Sequence, residues 1–256
     1  MLGPIIEATG ARVEALRGRE SELRDAAADA PPPRSLAGAL TAPGLSVIAE
    51  IKRRSPSAGR IRETMDPARL ARSYEQGGAA AISVLTEPEF FSGSLRDLEM
   101  VRDAVAVPVL RKDFVLDPVQ VWQARASGAD AVLLIVAVLD RPTLEACLAA
   151  AAAVGLDALV EVHRESEVAI ASAVGAGIVG VNNRDLTTFR TDLAVAERLR
   201  PELGADVVTI AESGVATSGD AARMAAAGFD AVLVGEALVR ADNPAALVAS
   251  LQGSPR

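Results

Sequence analysis

Cysteine, histidine, tryptophan and tyrosine each occur once in these 256 residues, and aromatics make up only 3% of the chain. One cysteine excludes an internal disulfide and is compatible with a reducing compartment. One histidine excludes a multi-histidine metal centre. Long apolar runs are missing too. The longest, Ala131 to Leu139, falls well short of the roughly 20 residues a spanning helix needs. The opening stretch MLGPIIEATGARVEALRGRE is charged early and lacks the apolar centre of a signal peptide. Basic residues are outnumbered, with a formal charge of −8, which argues against a nucleic-acid or anionic-membrane partner. These absences lead us to expect a soluble cytoplasmic protein whose partner is a small molecule.

What is present is aliphatic. Half of the residues are hydrophobic, with Ala, Val and Leu dominating, enough for a full core built from small and branched side chains. From Leu45 onward, strand-like runs alternate with alanine-rich amphipathic segments about every 20–30 residues, the rhythm of repeated βα units. Eight strands are predicted, at Ser46 to Ile51, Ala80 to Leu85, Pro108 to Leu110, Ala131 to Val136, Ala158 to Val162, Ile178 to Val181, Val207 to Ala211 and Ala231 to Val234. Glycines at 78, 128, 155, 175 and 228 stand just before strands, as helix C-caps do. Eight such units in about 210 residues match a (β/α)8 TIM barrel of α/β class. Ahead of it, Pro4 to Ala30 reads as one helix, ended by Pro31-Pro32-Pro33 and lying over one end of the barrel. The expected division is an N-terminal helical extension over 1–44 and a catalytic barrel over 45–256, in a single domain.

Several of these runs end abruptly in a charged or amide residue, at Glu50, Lys112, Glu161, Asn182 and Glu212. Alternate strand residues share a face, so Glu50 and Lys52 follow Ile48, Lys112 follows Leu110, Glu161 follows Leu159, Asn182 follows Gly180 and Glu212 follows Ile210. If the apolar members fill the barrel, the polar members ring its mouth, where barrel active sites lie. Two lysines among three glutamates and an amide make an acid–base set. Carboxylates tune such a lysine upward and desolvation tunes it downward, and the sequence leaves both open. Lys52, Arg53, Arg54, Arg111, Lys112 and Arg184 form a cationic group at strand ends, suited to a small anion, although Arg53 and Arg54 also fit ordinary surface positions.

A phosphate site is read from AESGVATSGD after the seventh strand and VGEAL after the eighth. There Gly214 and Gly235 let backbone amides come close to an anion, and Ser55 adds a hydroxyl. Phe91 and Phe114, just past strand ends, fit either an aromatic pocket wall or loop packing. His163 is expected at the surface, Cys147 in helix packing, and Trp122 in the core or a helix–barrel contact.

In order, IAEIKRRSPSAG, PVLRKDF, GADAVLLI, LVEVH, GVNNRDLTTF, AESGV and LVGEALVR resemble the segments of the indole-3-glycerol phosphate synthase family, from about Val47 to Pro244. That resemblance implies a carboxy-lyase of tryptophan biosynthesis. It would close 1-(2-carboxyphenylamino)-1-deoxyribulose 5-phosphate to an indole with loss of carbon dioxide and water, without cofactor or metal. It makes Lys112 the general acid of ring closure and Glu161 the base. Lys52 holds an anionic group or protonates the departing hydroxyl, and the two lysines are interchangeable in these roles. Glu50 orients Lys52, Asn182 holds a sugar hydroxyl, Glu212 positions substrate or cations, and Arg184 meets the substrate carboxylate. Ser55, Ser213, Gly214, Gly235 and Glu236 match phosphate-binding positions, Glu236 through its amide. Phe91 and Phe114 match the wall for the anthranilate ring.

Three other readings compete. A phosphoribosylanthranilate isomerase would want a cysteine at the end of its first strand, where this chain has Glu50 and Lys52. A metal-dependent sugar-phosphate epimerase would need more histidines than one. A noncatalytic phosphate-binding barrel would have no use for the full acid–base set.

Overall fold

The computed structural model describes residues 2–56, 59–62, 64–186 and 188–252. Eight parallel strands close into a barrel: β1 (Ser46–Ile51), β2 (Ala81–Leu85), β3 (Val109–Lys112), β4 (Ala131–Ile135), β5 (Asp157–Val162), β6 (Ile178–Asn182), β7 (Val208–Glu212) and β8 (Ala231–Val234). Each pairs with its sequence neighbours, and β1 closes the ring on β8, with Ser46 opposite Ala231. The expected TIM barrel is therefore present. The first and last predicted strands match at both ends, and the other six are offset by one or two residues. The third runs on to Lys112 rather than stopping at Leu110, because Leu85 and Lys112 continue the β2–β3 ladder past the apolar run.

Local chemistry explains the helices. Asp66, Asp117 and Asp140 cap helices with Pro in the first turn, and Thr217 and Asp220 form a reciprocal capping box. Gly128 (φ 84°) and Gly228 (φ 95°) end the preceding helices in the left-handed region, as the repeating pattern predicts.

Side-chain parity sorts the core into two layers. Ile48, Leu110, Leu159, Ile178, Ile210 and Leu233 fill the barrel interior, while the alternate residues pack outward against the helices. The N-terminal segment differs from the single helix expected over Pro4 to Ala30. It forms α1 (Leu2–Arg17), α2 (Glu20–Asp29) and α3 (Leu36–Leu40), broken first at Gly18-Arg19 and then at the prolines. α1 brings Leu2 and Ile5 to the cavity at the barrel mouth. α3 closes the opposite end, where Leu36 and Leu40 join the interior cluster with no exposure. Asp130 and Asp157 hold α3 there by accepting from the amides of Arg34 (2.8 Å) and Ala37 (3.0 Å). α2 packs against the helix Pro118–Ala126, with Arg24 stacked 4.9 Å over the Trp122 ring, so Trp122 is a contact between that barrel helix and the N-terminal segment. Cys147 is buried in helix packing, as expected. Among the described residues no helix is long and apolar enough to cross a membrane.

Candidate active site

A cavity of about 440 Å³ opens at the C-terminal ends of the strands. Glu50, Lys112, Glu161, Asn182 and Glu212 stand at those ends, with Lys52 just beyond β1, and all six line the cavity. The parity argument places them there: each follows an interior residue by two positions.

The charged groups form two clusters. Lys52 Nζ lies 2.6 Å from Oε1 of Glu50. Lys112 Nζ bridges Oε2 of Glu161 (3.2 Å) and Oε2 of Glu212 (3.0 Å). Asn182 Nδ2 donates to the other oxygen of Glu161, at 3.1 Å. Glycines make room for these carboxylates. A Cβ on Gly235 would stand 2.2 Å from Oε1 of Glu50, and one on Gly180 2.1 Å from Oε1 of Glu212. Both glycines are required by close approach.

Burial works against the Lys112 ammonium, but Glu212, Glu161 and Glu50 outweigh it and hold the group above the ordinary lysine value. Tuning is thus upward. Burial also works against the Glu161 carboxylate, which Lys112, His163 and Asn182 nevertheless hold below the usual range. Glu212 goes the other way. Burial and the neighbouring Glu161 push it up to about 7 against the pull of Lys112, and its Oε1 has no hydrogen-bond partner among the described residues. The two carboxyls are thus shifted in opposite directions, Glu161 toward the ionised form and Glu212 toward the protonated one.

The anion-binding candidates gather on one side. Ser55, Ser213, Gly214, Gly235 and Glu236 all line the cavity. Ser213 (φ 63°) and Gly214 (φ 89°) are both left-handed, an expensive conformation for serine that marks a constrained turn. Asn183 holds that turn by donating to the carbonyls of Glu212 (3.0 Å) and Ser213 (3.1 Å). The Glu236 carboxylate accepts from Arg240 Nε at 2.9 Å, while its amide lies in the first turn of the helix Glu236–Arg240. Phe91 and Phe114 come together across the mouth with ring centroids 6.2 Å apart. Arg184 lines the same cavity and donates from Nη1 to the Phe189 carbonyl at 3.0 Å. Ser57 and Ala58 of the IAEIKRRSPSAG segment lie outside the described residues.

Two expectations need correction. Among the six strand-end cations, Arg111 points out of the barrel into a buried network with Asp113, Thr86 and the Gln120 carbonyl, since its parity is opposite to that of Lys112. Arg53 is paired with Asp97, and Arg54 lies exposed in a short hairpin, Arg54–Ser55 with Gly59–Arg60. Lys52, Lys112 and Arg184 remain as strand-end cations at the cavity. His163 is not a surface residue. It is 13% exposed and wedged between Glu161 and Glu167. Its signal was a glutamate four positions on, at the start of the next helix. Leu2, Ile5, Leu186 and Phe189 also line the cavity, the first two from α1 and the other two from the GVNNRDLTTF segment, where neither was singled out.

Comparison with known proteins gives the family. The family model for indole-3-glycerol phosphate synthase matches residues 2–251. The indole-3-glycerol phosphate synthase of Mycobacterium avium (strain 104) is 54% identical over 90% of this chain and 85% of that protein. That of Mycobacterium ulcerans (strain Agy99) is 52% identical over 98% and 93%. Among solved structures, 3-hexulose-6-phosphate synthase from Salmonella typhimurium superposes with a TM-score of 0.65 at 16% identity, covering 81% of this chain and 96% of that one, a likeness of fold alone. Matched over nearly its whole length, the chain belongs to the indole-3-glycerol phosphate synthase family.

Proposed function

We propose that the ring formed by Lys112, Glu161, Asn182, Glu212, Glu50 and Lys52 carries out the family's reaction, from 1-(2-carboxyphenylamino)-1-deoxyribulose 5-phosphate to indole-3-glycerol phosphate, carbon dioxide and water. The observation that carries this reading is the Lys112 ammonium, held between two carboxylates on the wall of the cavity. The aryl carbon bearing the carboxylate attacks the ketose carbonyl. Lys112 meets the negative charge that develops on the carbonyl oxygen and supplies its proton, aided by a surrounding that keeps it protonated. Loss of carbon dioxide restores the aromatic ring. Dehydration then requires a base and a second acid. Glu161 takes the proton, and Lys52, paired with Glu50, protonates the departing hydroxyl. The lysines exchange these roles if Lys52 proves to be the donor in ring closure.

Substrate is held at both ends. The phosphate lies against Ser55, Ser213 and the amides of Gly214, Gly235 and Glu236, with the Glu236 carboxylate turned aside to Arg240. Phe91 and Phe114 flank the anthranilate ring, and Arg184 exchanges the Phe189 carbonyl for the substrate carboxylate. Residues 1–44 act as an extension of the barrel in the same domain, with α1 forming part of the cavity wall. The test is turnover: purified protein with this substrate should develop indole fluorescence, and Lys112→Ala should not. Tight substrate binding without product in the parent protein would favour a binding barrel instead.

A further inference from the structure

Both ring nitrogens of His163 face carboxylates. Nδ1 lies 3.2 Å from Oε2 of Glu167, and the His163 backbone N–H donates to that same oxygen at 2.7 Å. On the other side, Nε2 is fully buried and stands 3.3 Å from Oε1 of Glu161, without an aligned hydrogen bond among the described residues. A neutral imidazole has one acceptor nitrogen, whose lone pair would be set against carboxylate oxygen on either side. The imidazolium presents N–H to both. Glu167 is itself buried, and its Oε1 takes Arg164 Nε at 2.8 Å, which leaves Oε2 committed to His163. The Val136–Val138 turn packed against this helix brings no charge. The groups facing the imidazole are thus Glu161 from β5 and Glu167 from the following helix. Arg164 lies behind Glu167, and Lys112 and Asn182 lie behind Glu161.

We infer that His163, backed by Glu167, is a positioning residue for Glu161, holding its carboxylate ionised and fixed in the cavity while Lys112 turns to the substrate. This rests on Glu161 being the base. In the free protein Lys112 holds Oε2 of Glu161, but as general acid it must engage the substrate carbonyl and loosen that pairing. A buried carboxylate losing its cation takes up a proton and is spent as a base. His163 stands at the opposite oxygen and takes no part in the reaction, so Glu161 keeps a cation throughout the cycle. Burial alone would lower the imidazole value, but the two glutamates hold it up to about 10.

Because the chain contains one histidine, its titration can be read by NMR without ambiguity. The imidazole of the parent protein should stay protonated through about pH 9, and in Glu167→Gln its midpoint should drop by about one unit or more. In His163→Asn, kcat near neutral pH should fall about tenfold with KM changed less than about twofold, and the acid limb of the kcat profile should move up by about one unit. An imidazole titrating near 6.5 in the parent, or a His163→Asn profile superposing on the parent's, would overturn the inference. A fall in melting temperature with an unmoved profile would also overturn it, because that is the result of packing alone. If His163→Asn does not fold, Glu167→Gln carries the test. Its kcat should then decline as the imidazolium deprotonates, and a parent-like alkaline limb would count against us. Absence of turnover in the parent would instead refute the base assignment while leaving the titration intact.

Discussion

Arg12 on α1 donates from Nη1 to Oε1 of Glu87, 3.2 Å away, joining the N-terminal segment to the loop after β2. Glu87 has no exposure, and its carboxylate also accepts the amides of Glu89, Phe90 and Phe91, capping the short helix that carries Phe91. Removing Arg12 leaves a buried carboxylate with its amide donors but without this cation. Arg12→Ala should cost about 1–3 kcal/mol and loosen Phe91. We expect KM to rise several-fold with kcat little changed, because the role proposed for Phe91 is to flank the substrate ring without touching a transferred proton. Steady-state kinetics and a melting curve check both parts.

Trp122 is 8% exposed and lies beneath Arg24 of α2. As the chain's only tryptophan it reports on the docking of that helix. Deleting residues 2–29 should expose the indole and shift its emission to the red. Arg24→Ala should lower stability by about 0.5–1 kcal/mol, the scale of a partly exposed cation–π contact. An unchanged spectrum in the deletion variant would mean that α2 does not shield the ring.

Two glycines should separate binding from chemistry. Gly180→Ala would drive Cβ into Oε1 of Glu212 and displace the Lys112 bridge, so the loss should fall mainly on kcat. Gly214→Ala combines a φ of 89° with a Cβ 2.6 Å from Cγ2 of Thr191, which distorts the proposed phosphate turn, so the change should fall mainly on KM. Identical effects from both substitutions would contradict the division into acid–base ring and anion loops.

Legibility in the sequence followed the reach of each interaction. The strand-end residues Glu50, Lys112, Glu161, Asn182 and Glu212 were readable because a strand's two-residue period carries each to the face of the apolar residue before it. Arg111 shows the same rule working outward, since one step of parity removes it from the cavity. The glycines before five of the strands were equally local. The Arg12–Glu87 pair spans 75 positions, and no local pattern announces it. His163 departs from its expected surface position because Glu167 turns back to it from the first turn of the following helix, a contact that depends on where that helix starts. The break at Gly18-Arg19 was hidden by continuous helix-forming composition on both sides. The close approaches at Gly180 and Gly235 depend on where neighbouring strands deliver Glu212 and Glu50.

The raised value of Glu212 gives a pH dependence whose sign follows from linkage. A carboxyl whose folded value lies above its unfolded one contributes stability at acid pH, and that contribution is lost as pH rises through the folded value, here about 7. Glu212→Gln fixes the neutral form and escapes that loss. Its melting temperature relative to the parent should therefore increase between about pH 5 and pH 8. A constant difference across that range would show that Glu212 is not buried against its charge.

Substrate affinity and single-turnover rate of Lys112→Ala, measured on the same preparation, test the central claim most directly. General acids of this kind contribute about 10²–10⁴-fold to rate, so ring closure should fall by that order while the substrate's Kd, assigned here to the proposed phosphate loops and phenylalanine wall, stays within about threefold. Near-normal turnover would contradict Lys112 as the acid of ring closure, and collapse of affinity together with rate would contradict the separation of acid–base ring from anion site.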